Sequence, residues 1–454
     1  MNTRPNRRQF LKSSALAGAS TLAAPHIGRS ANDKKLRVAL VGLDGRGWNG
    51  LHIGKGEEVT ALCDVDTTRF TVRNGRNSSF EAPSVMFPKA ARYQDYRELI
   101  EEHADDFDAI VLSIPDHHHY SAAVRAIRAG KAVFCEKPLT WSPWEAQGLA
   151  DEATKHKVAT QMGNQGMAGM GWRVAQAYVD AGAIGEIKEV HCWTPLANSW
   201  YATGVDRPEG DDPIPDGLDW DLWLGAAEKR PFKKGHYHPQ RWRGWTDFGG
   251  GALADWGCHL MNAMFKVFDP GYPTAVECLA NSGANGESLP ASKTVRWSFP
   301  AKGDRAPFEA YWHDGGRQPP RPKELEAERK LGHHGCFFVG DKGTVWIQGG
   351  HNNSAVLIPE AKRKALGKVE ISAPRSIGHN AEFIAAAKGE TAFDAPLSHF
   401  GYAGPMTATI LLGNLASRFE GKLAFDPAMR KFVDNDKANA LMTRRPRGGW
   451  YPQT

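Results

Sequence analysis

Three residues carry side chains that could together take a proton from an alcohol and stabilise the oxygen left behind. Asp255 and His259 are four residues apart, so on a helix they share one face and the carboxylate can orient the imidazole. An imidazole titrates near neutral pH, which suits a base that takes a hydroxyl proton while hydride leaves the carbon. Lys137 precedes Pro138, and we expect it to extend from a strand end and stabilise negative charge on the substrate oxygen. The alternative is an ordinary helix ion pair with a surface lysine.

A glycine-rich turn near the start of the chain has the composition of a phosphate-binding loop. It ends an apolar run at 36–43, and N–H groups of such a turn at a helix N-terminus bind pyrophosphate. An aspartate replaces the second glycine of the G-x-G-x-x-G pattern, where its carboxylate repels phosphate unless it turns away. A glycine turn without a nucleotide is the alternative. We predict dinucleotide contacts from Gly42, Asp44, Gly45, Arg46 and Gly47.

An acidic residue at the end of the next apolar run supports the same kind of ligand. Asp64 follows the run 58–63 and lies 22 residues after Gly42. A carboxylate in that place accepts hydrogen bonds from the adenosine ribose hydroxyls of NAD. The sequence therefore predicts NAD as cofactor and makes NADP the less favoured choice.

Alternating strand-like and helix-like segments predict a doubly wound parallel sheet up to about residue 165. Such a sheet binds its ligand in a crevice at the carboxyl ends of its strands. The predicted strands are 36–43, 58–63, 108–114, 131–135 and 158–163, and the predicted helices are 94–102, 120–129 and 144–156.

A change of pattern after about residue 165 predicts a second, α+β domain. A helical segment at 172–181 leads into Trp-rich sequence, and runs such as 189–193, 294–299 and 344–347 fit a mostly antiparallel open sheet. The stretch 303–330 is rich in Pro, Gly and charge, so we predict a surface excursion there. The predicted organisation is a signal peptide and linker at 1–33, a Rossmann dinucleotide-binding domain at 34–165 and an α+β substrate-binding and oligomerisation domain at 166–454.

Three short motifs carry a resemblance to a known family. They are Ile-Pro-Asp-His-His-His at 114–119, Glu-Lys-Pro at 136–138 and Gly-Gly-Gly-Ala-Leu-Ala-Asp-Trp-Gly-Cys-His at 249–259. In this order and spacing they resemble the Gfo/Idh/MocA oxidoreductases, over a stretch from about residue 36 to the C-terminus. The resemblance implies catalytic roles for Lys137, Asp255 and His259, and cofactor contacts by Pro115, Asp116, His119, Glu136 and Lys137.

Residues near these motifs are candidates to contact a carbohydrate. Aromatic faces stack on the apolar faces of sugar rings, although core packing is the usual role of Trp. A polar pair follows the last strand of the parallel sheet, where a simple strand-ending turn is the alternative. We predict substrate contacts from Asn164, Gln165, Arg241, Trp242 and Trp245, with Arg243 and Trp256 as further candidates.

The histidine and cysteine patterns do not predict a metal site. Consecutive residues at a helix start, such as 117–119, point in different directions, and the six cysteines are dispersed without a C-x-x-C pair. Cys63 and Cys135 fall within apolar runs, so we predict buried free thiols there.

The excess positive charge of the chain is confined to its start. The net charge is +5, and residues 1–30 contain five basic and no acidic residues, so the remainder is neutral. Arg7 and Arg8, followed by a short small-residue apolar stretch, resemble a twin-arginine export signal. We predict an exported, periplasmic protein that meets the twin-arginine export machinery. The neutral remainder gives no support for nucleic-acid binding, and no apolar run is long enough for a stable membrane anchor.

Export constrains the chemistry, because free NAD is not expected outside the cytoplasm. We therefore predict a tightly bound, recycled NAD and hydride transfer at a secondary hydroxyl of a sugar or polyol. The alternatives are an NAD-dependent glycosidase, which oxidises its substrate transiently and eliminates the glycosidic group, and a sugar-binding or nucleotide-binding protein without turnover. We also predict a homo-oligomer, since an open sheet in the second domain can pair face to face.

Overall fold

A computed structural model of the chain describes residues 34–77, 79–196 and 201–452. The predicted signal peptide and its twin arginines lie outside these residues, so export stays a prediction. Among the residues described, no helix has the length and apolar character needed to cross a membrane.

The first part of the chain forms a parallel sheet in the order β3-β2-β1-β4-β5-β6, which is the strand order of a Rossmann fold. The predicted parallel sheet is thereby confirmed. A short edge strand, β3, was not predicted, because its three residues lack an apolar run. The strands are β1 (Arg37–Val41), β2 (Glu58–Cys63), β3 (Ala91–Tyr93), β4 (Ala109–Leu112), β5 (Ala132–Cys135) and β6 (Thr160–Met162).

Helices cover both faces of this sheet, and their starts are set by local capping. Ser142 and Glu145 form a capping box at the start of α5. Helix α4 begins at Asp116, four residues earlier than predicted, directly after Pro115. The buried free thiols predicted at Cys63 and Cys135 are confirmed. The helices are α1 (Trp48–Gly56), α2 (Pro83–Met86), α3 (Tyr96–Glu102), α4 (Asp116–Arg128) and α5 (Pro143–His156).

The second part of the chain forms a nine-stranded sheet in the order β13-β12-β11-β7-β10-β9-β8-β14-β15. Its neighbouring strands are antiparallel except for β7 and β10, which are parallel, and the predicted α+β class is confirmed. The strands are β7 (Ile187–Trp193), β8 (Ala275–Asn281), β9 (Lys293–Phe299), β10 (Phe308–His313), β11 (Gly335–Gly340), β12 (Thr344–Gln348), β13 (Ser354–Ile358), β14 (Lys422–Asp426) and β15 (Lys431–Phe432).

The prediction of a surface excursion at 303–330 is wrong for residues 308–313. This segment is β10, which lies between β7 and β9 in the interior of the sheet. Phe308, Ala310 and Trp312 alternate with polar residues and are buried, which is the period-2 pattern of a strand. The charged and Pro-rich sequence on either side hid this short run.

Helix α12, the longest in the part of the chain that the structure describes, holds the segment that carries the predicted catalytic pair. Asn414 near its end donates a hydrogen bond of 2.7 Å to the carbonyl of Gly250, directly before α8. A Cβ at Gly404 would lie 2.6 Å from the carbonyl of Ala146, so a glycine lets α12 approach α5 closely. The helices of this part are α6 (Gly171–Asp180), α7 (Trp220–Leu224), α8 (Gly251–Leu260), α9 (Asn262–Phe268), α10 (Glu360–Leu366), α11 (His379–Ala387), α12 (Phe400–Ala416) and α13 (Asp436–Ala440).

Candidate active site

The glycine-rich turn leads from β1 into α1 and its glycines have separate tasks. Gly42 has a φ of +83°, and a Cβ there would lie 2.4 Å from the carbonyl oxygen of Ser113. A Cβ at Gly47 would lie 2.4 Å from the carbonyl of Gly42, so both glycines are required for packing. Gly45 has a φ of +54° and faces open space. The turn therefore leaves room for a ligand at Gly45, one residue after the aspartate.

The carboxylate of Asp44 is bonded to neighbouring N–H groups and paired with a cation. It accepts hydrogen bonds from the backbone N–H groups of Gly45 at 2.6 Å and Gly75 at 2.9 Å, and it pairs with Arg69 at 2.8 Å. Repulsion of a phosphate by Asp44 is thereby reduced, and the turn fits a pyrophosphate.

Asp64 lies at the carboxyl end of β2, where the ribose of a dinucleotide is expected. One carboxylate oxygen accepts a hydrogen bond of 2.9 Å from the N–H of Leu43, and the other accepts one of 3.0 Å from Asp66. Burial raises the pKa of Asp64 to about 6 despite these bonds. A carboxylate has about four acceptor sites, so Asp64 can still receive hydrogen bonds from ribose hydroxyls.

Arg46 connects the turn to the ends of two further strands. Its Nε lies 2.9 Å from Oε1 of Glu136 after β5, and it donates a bond of 3.2 Å to Gln165 after β6. The other carboxylate oxygen of Glu136 is buried without a hydrogen-bond partner among the described residues. A Cβ at Gly163 would lie 2.5 Å from that oxygen. A cavity of about 350 Å³ opens beside Arg46 and Gln165.

Lys137 and Asp255 meet at the centre of the site. The ammonium of Lys137 pairs with Oδ1 of Asp255 and also donates a bond of 3.0 Å to its backbone carbonyl. Tyr201 donates a bond of 2.5 Å to Oδ2, and Arg243 lies 3.7 Å from Oδ1. Burial by itself raises the pKa of Asp255, but Lys137 and Arg243 outweigh it and hold that pKa well below its ordinary value. Asp255 is therefore an anion at neutral pH.

His259 lies on the same helix face but has no hydrogen bond to Asp255. Neither of its ring nitrogens bonds to a described residue, and Nδ1 is buried. The predicted orientation of the imidazole by Asp255 involves no hydrogen bond, because both carboxylate oxygens are taken by Lys137 and Tyr201, but the negative charge of Asp255 still acts to raise the pKa of His259. Burial and the nearby Lys137 lower the pKa of His259 well below 6.5, so its imidazole is neutral and able to accept a proton.

Asp116 and Arg243 lie beside the pair of Lys137 and Asp255. Asp116 Oδ1 lies 3.6 Å from the Arg243 guanidinium. Burial raises the pKa of Asp116 to about 7, an effect that the nearby Arg243 opposes. Arg243 thus contacts two acidic residues, Asp116 and Asp255, whereas the predicted Arg241 is exposed and makes no hydrogen bond among the described residues. The arginine of this site is Arg243.

The three consecutive histidines have structural partners. Nδ1 of His119 lies 2.8 Å from the carbonyl oxygen of Pro138, and Nε2 lies 2.9 Å from that of Ile114. Burial lowers the pKa of His119 to about 4, so the neutral ring donates to one of these carbonyls and lies between the loops that follow β4 and β5. His117 and His118 both bond to the carbonyl of Trp223. His119 therefore positions the loop of Pro115 and the loop of Lys137. The described residues contain no group of three or more His, Cys, Asp or Glu that could hold a metal ion.

The predicted substrate residues divide into those near the site and those in the core. Asn164 is buried and bonded to Asn262 and Ser398. Trp245 is fully buried in an aromatic cluster, so its predicted role in a sugar pocket is wrong. Trp242 is also buried, beneath the guanidinium of Arg243.

Trp256 and one loop residue, His351, complete the surroundings of His259. The ring centroid of His259 is 6.0 Å from that of Trp256 and 4.5 Å from that of His351. Tyr201 and His351 were not predicted, because they come from irregular segments without a motif. The only sequence signal that could have pointed to His351 is its place in the run Gly-Gly-His-Asn-Asn at 349–353.

Comparison with known proteins identifies the family of the chain. Residues 36–164 match the profile described as oxidoreductase family, NAD-binding Rossmann fold, which confirms the predicted cofactor. Residues 177–287 match the profile of the C-terminal alpha/beta domain of the same family, and the two matches cover more than half of the chain.

The curated relatives match over a limited part of their length. Inositol 2-dehydrogenase from Salmonella typhimurium is 28% identical over 137 residues, which are 30% of this chain and 38% of that protein. A glycosyl hydrolase family 109 protein from Shewanella pealeana is 27% identical and matches 33% of this chain and 37% of its own length. The chain thus covers less than two fifths of these relatives.

A solved structure shows the same fold over most of the chain. The WlbA dehydrogenase from Bordetella pertussis, solved in complex with NADH and UDP-GlcNAcA, superposes with a TM-score of 0.57 at 16% sequence identity, covering 87% of this chain and 99% of that one. The shared fold and the two profile matches place the chain in the Gfo/Idh/MocA family of NAD-binding oxidoreductases.

Proposed function

We propose that the protein oxidises a secondary hydroxyl of a sugar or polyol with NAD as the hydride acceptor. The observation that carries the proposal is the meeting of Lys137, Asp255 and a neutral His259 at the carboxyl ends of the Rossmann strands. One relative is named inositol 2-dehydrogenase, and the WlbA dehydrogenase was solved in complex with UDP-GlcNAcA. These names support a substrate of this class.

The residues of the chain have complementary tasks in this reaction. The turn at Gly45, the α1 N-terminus and Asp64 would hold NAD, which when bound takes up the hydride. Lys137 donates a hydrogen bond to the substrate oxygen and stabilises the charge that develops there. Asp255 holds the lysine in place, and His259 removes the hydroxyl proton. The buried setting excludes water and strengthens each of these interactions.

We further propose that the enzyme is exported and keeps its cofactor bound. The twin-arginine pattern at residues 7–8 supports export of a folded, loaded protein. A loaded enzyme without a supply of free NAD must reoxidise its cofactor in place, so a second substrate accepts the hydride.

A homo-oligomer is also part of this proposal. Light scattering of the purified protein will give the mass of the assembly.

The deciding experiment examines the purified protein without added cofactor. Mass spectrometry of the denatured protein is expected to release NAD, and addition of sugars and polyols is expected to raise the absorbance at the NADH band. Absence of any bound or bindable nucleotide would overturn the assignment. Restoration of the oxidised form by a second sugar would support recycling.

A redox-neutral glycosidase is the second candidate. The match to a glycosyl hydrolase family 109 protein supports it. Such an enzyme oxidises the sugar transiently, and the resulting ketone acidifies the neighbouring C–H so that the glycosidic group leaves. Cleavage of a chromogenic glycoside without lasting NADH would favour this candidate over net oxidation.

A further inference from the structure

The imidazole of His351 lies against that of His259. Their ring centroids are 4.5 Å apart, with an angle of 57° between the planes. His351 comes from the loop between β12 and β13, whereas His259 lies on α8. His259 is 3% exposed and His351 is partly exposed, so His351 is the member of the pair that reaches solvent.

The loop that carries His351 is fixed by contacts that do not involve the imidazole. Asn352 donates a hydrogen bond of 2.7 Å to the backbone carbonyl of His259. A Cβ at Gly166 would lie 2.5 Å from the carbonyl of His351, so the loop also packs closely on the segment after β6. Replacement of the His351 side chain therefore leaves the loop attached to α8.

His259 needs a proton acceptor, and Asp255 does not serve as one. The carboxylate oxygens of Asp255 are bonded to Lys137 and Tyr201, and no described residue bonds to a ring nitrogen of His259. An imidazole that accepts a proton on one nitrogen becomes a cation unless it releases one from the other.

The charges around the two rings disfavour such a cation. Lys137 and Arg46 face both imidazoles, Arg76 faces His351, and Asp255 is the opposing anion. Burial and these cations lower the pKa of both histidines. A proton taken up by His259 is therefore held weakly, and the adjacent His351 ring is the group that leads from it to water.

We propose that His351 is a proton-relay residue that carries the substrate proton from His259 to solvent. This inference rests on the proposed function. As the C–H bond breaks and its hydride leaves to the cofactor, the hydroxyl proton moves to His259 and the carbonyl forms. The two rings touch without a hydrogen bond, so the partly exposed His351 ring turns to bring a nitrogen to His259, accepts a proton from it and releases that proton to water. The pair is left neutral, and the same path supplies a proton when a second substrate is reduced.

The kinetic test compares H351Q with H334A in the cofactor-loaded enzyme. His334 stacks on Trp256 with 4.4 Å between centroids and forms no ring contact with His259, so H334A is the matched control. We expect H351Q to lower kcat by about 10- to 100-fold with KM and NAD binding unchanged, because general acid–base paths contribute on that scale. The loss is expected to shrink as pH rises, since hydroxide can then take the proton. Added imidazole should restore activity to H351A. Unchanged kcat and pH profile in H351Q would overturn the relay.

A spectroscopic readout separates this inference from the proposed reaction. In protein labelled at histidine with ¹⁵N, the ring nitrogens of His259 are expected to shift in H351Q and to stay unchanged in H334A. An unchanged His259 spectrum in H351Q would overturn the relay whatever the activity. A shifted spectrum in a protein that oxidises no sugar would support the imidazole pair and overturn only the proposed reaction.

Discussion

Replacing Asp255 with Asn removes the anion that pairs with Lys137 and that also lies beside Arg243. The side chains of Asp255 and Lys137 are 11% and 13% exposed, so their pairing is largely shielded from water. Breaking a buried pair by removing one partner costs about 3–5 kcal/mol, because a buried charge is left uncompensated. An amide still bonds to Tyr201, so we expect the lower end, a loss of about 3 kcal/mol in the free energy of unfolding.

The assay is urea unfolding at several pH values, with D221N as the matched control. Asp221 pairs with Lys229 and Arg447 at the surface and is 55% exposed, so its replacement is expected to cost about 0–1 kcal/mol. The pKa of Asp255 is lowered in the folded protein, so its stabilisation is fully present above the unfolded value of 3.8 and is lost as pH falls toward the folded value. The gap between wild type and D255N should therefore be constant near neutral pH and shrink below pH 3.8.

A loss no larger than that of D221N at neutral pH would refute the argument that Asp255 is a buried, paired anion. A second readout is NAD binding, which D255N should leave within about threefold of wild type, because Asp255 does not contact the glycine-rich turn. Sugar oxidation should fall by at least about 100-fold, since the lysine is no longer held against the substrate oxygen. Retained oxidation in a stable D255N would remove the positioning role of Asp255.

Three further predictions concern the cofactor turn and the arginines. Gly42→Ala should abolish NAD binding in calorimetry, because Gly42 has a φ of +83° and a Cβ there would meet the Ser113 carbonyl at 2.4 Å. Binding at wild-type strength would contradict the need for glycine at this position. Arg69→Gln should weaken NAD binding by about tenfold, since the Asp44 carboxylate loses its paired cation and repels the pyrophosphate. Unchanged affinity would show that the Asp44 carboxylate does not need Arg69 to tolerate the pyrophosphate. Arg243→Ala should lower sugar oxidation far more than Arg241→Ala in parallel kinetic assays, and equal effects would contradict the placement of the guanidinium at Asp255.

The fold and the grouping of the candidate catalytic residues could be predicted because both follow from periodic patterns. The carboxyl ends of parallel strands meet at one edge, which brings Lys137 after β5 close to the turn after β1. The i, i+4 spacing placed Asp255 and His259 on one helix face, as observed.

The partners of these residues could not be predicted, since they depend on which side chain another segment delivers. Tyr201 and Lys137 arrive from distant parts of the chain and take both oxygens of Asp255 away from His259. Trp245 could not be distinguished from a sugar-binding Trp, because an aromatic residue beside a catalytic motif packs equally well into the core. His351 lies in a loop without periodicity.

The ion pair between Lys137 and Asp255 limits how this enzyme can be recombined with its relatives. The lysine follows the last but one strand of the Rossmann sheet, and the aspartate lies on a helix of the second part of the chain. A chimaera that exchanges one part for its counterpart from another protein inherits only half of this pair. Such a graft will work when the incoming helix brings an acidic residue to the same place, and otherwise it will leave a buried ammonium without a counter-ion.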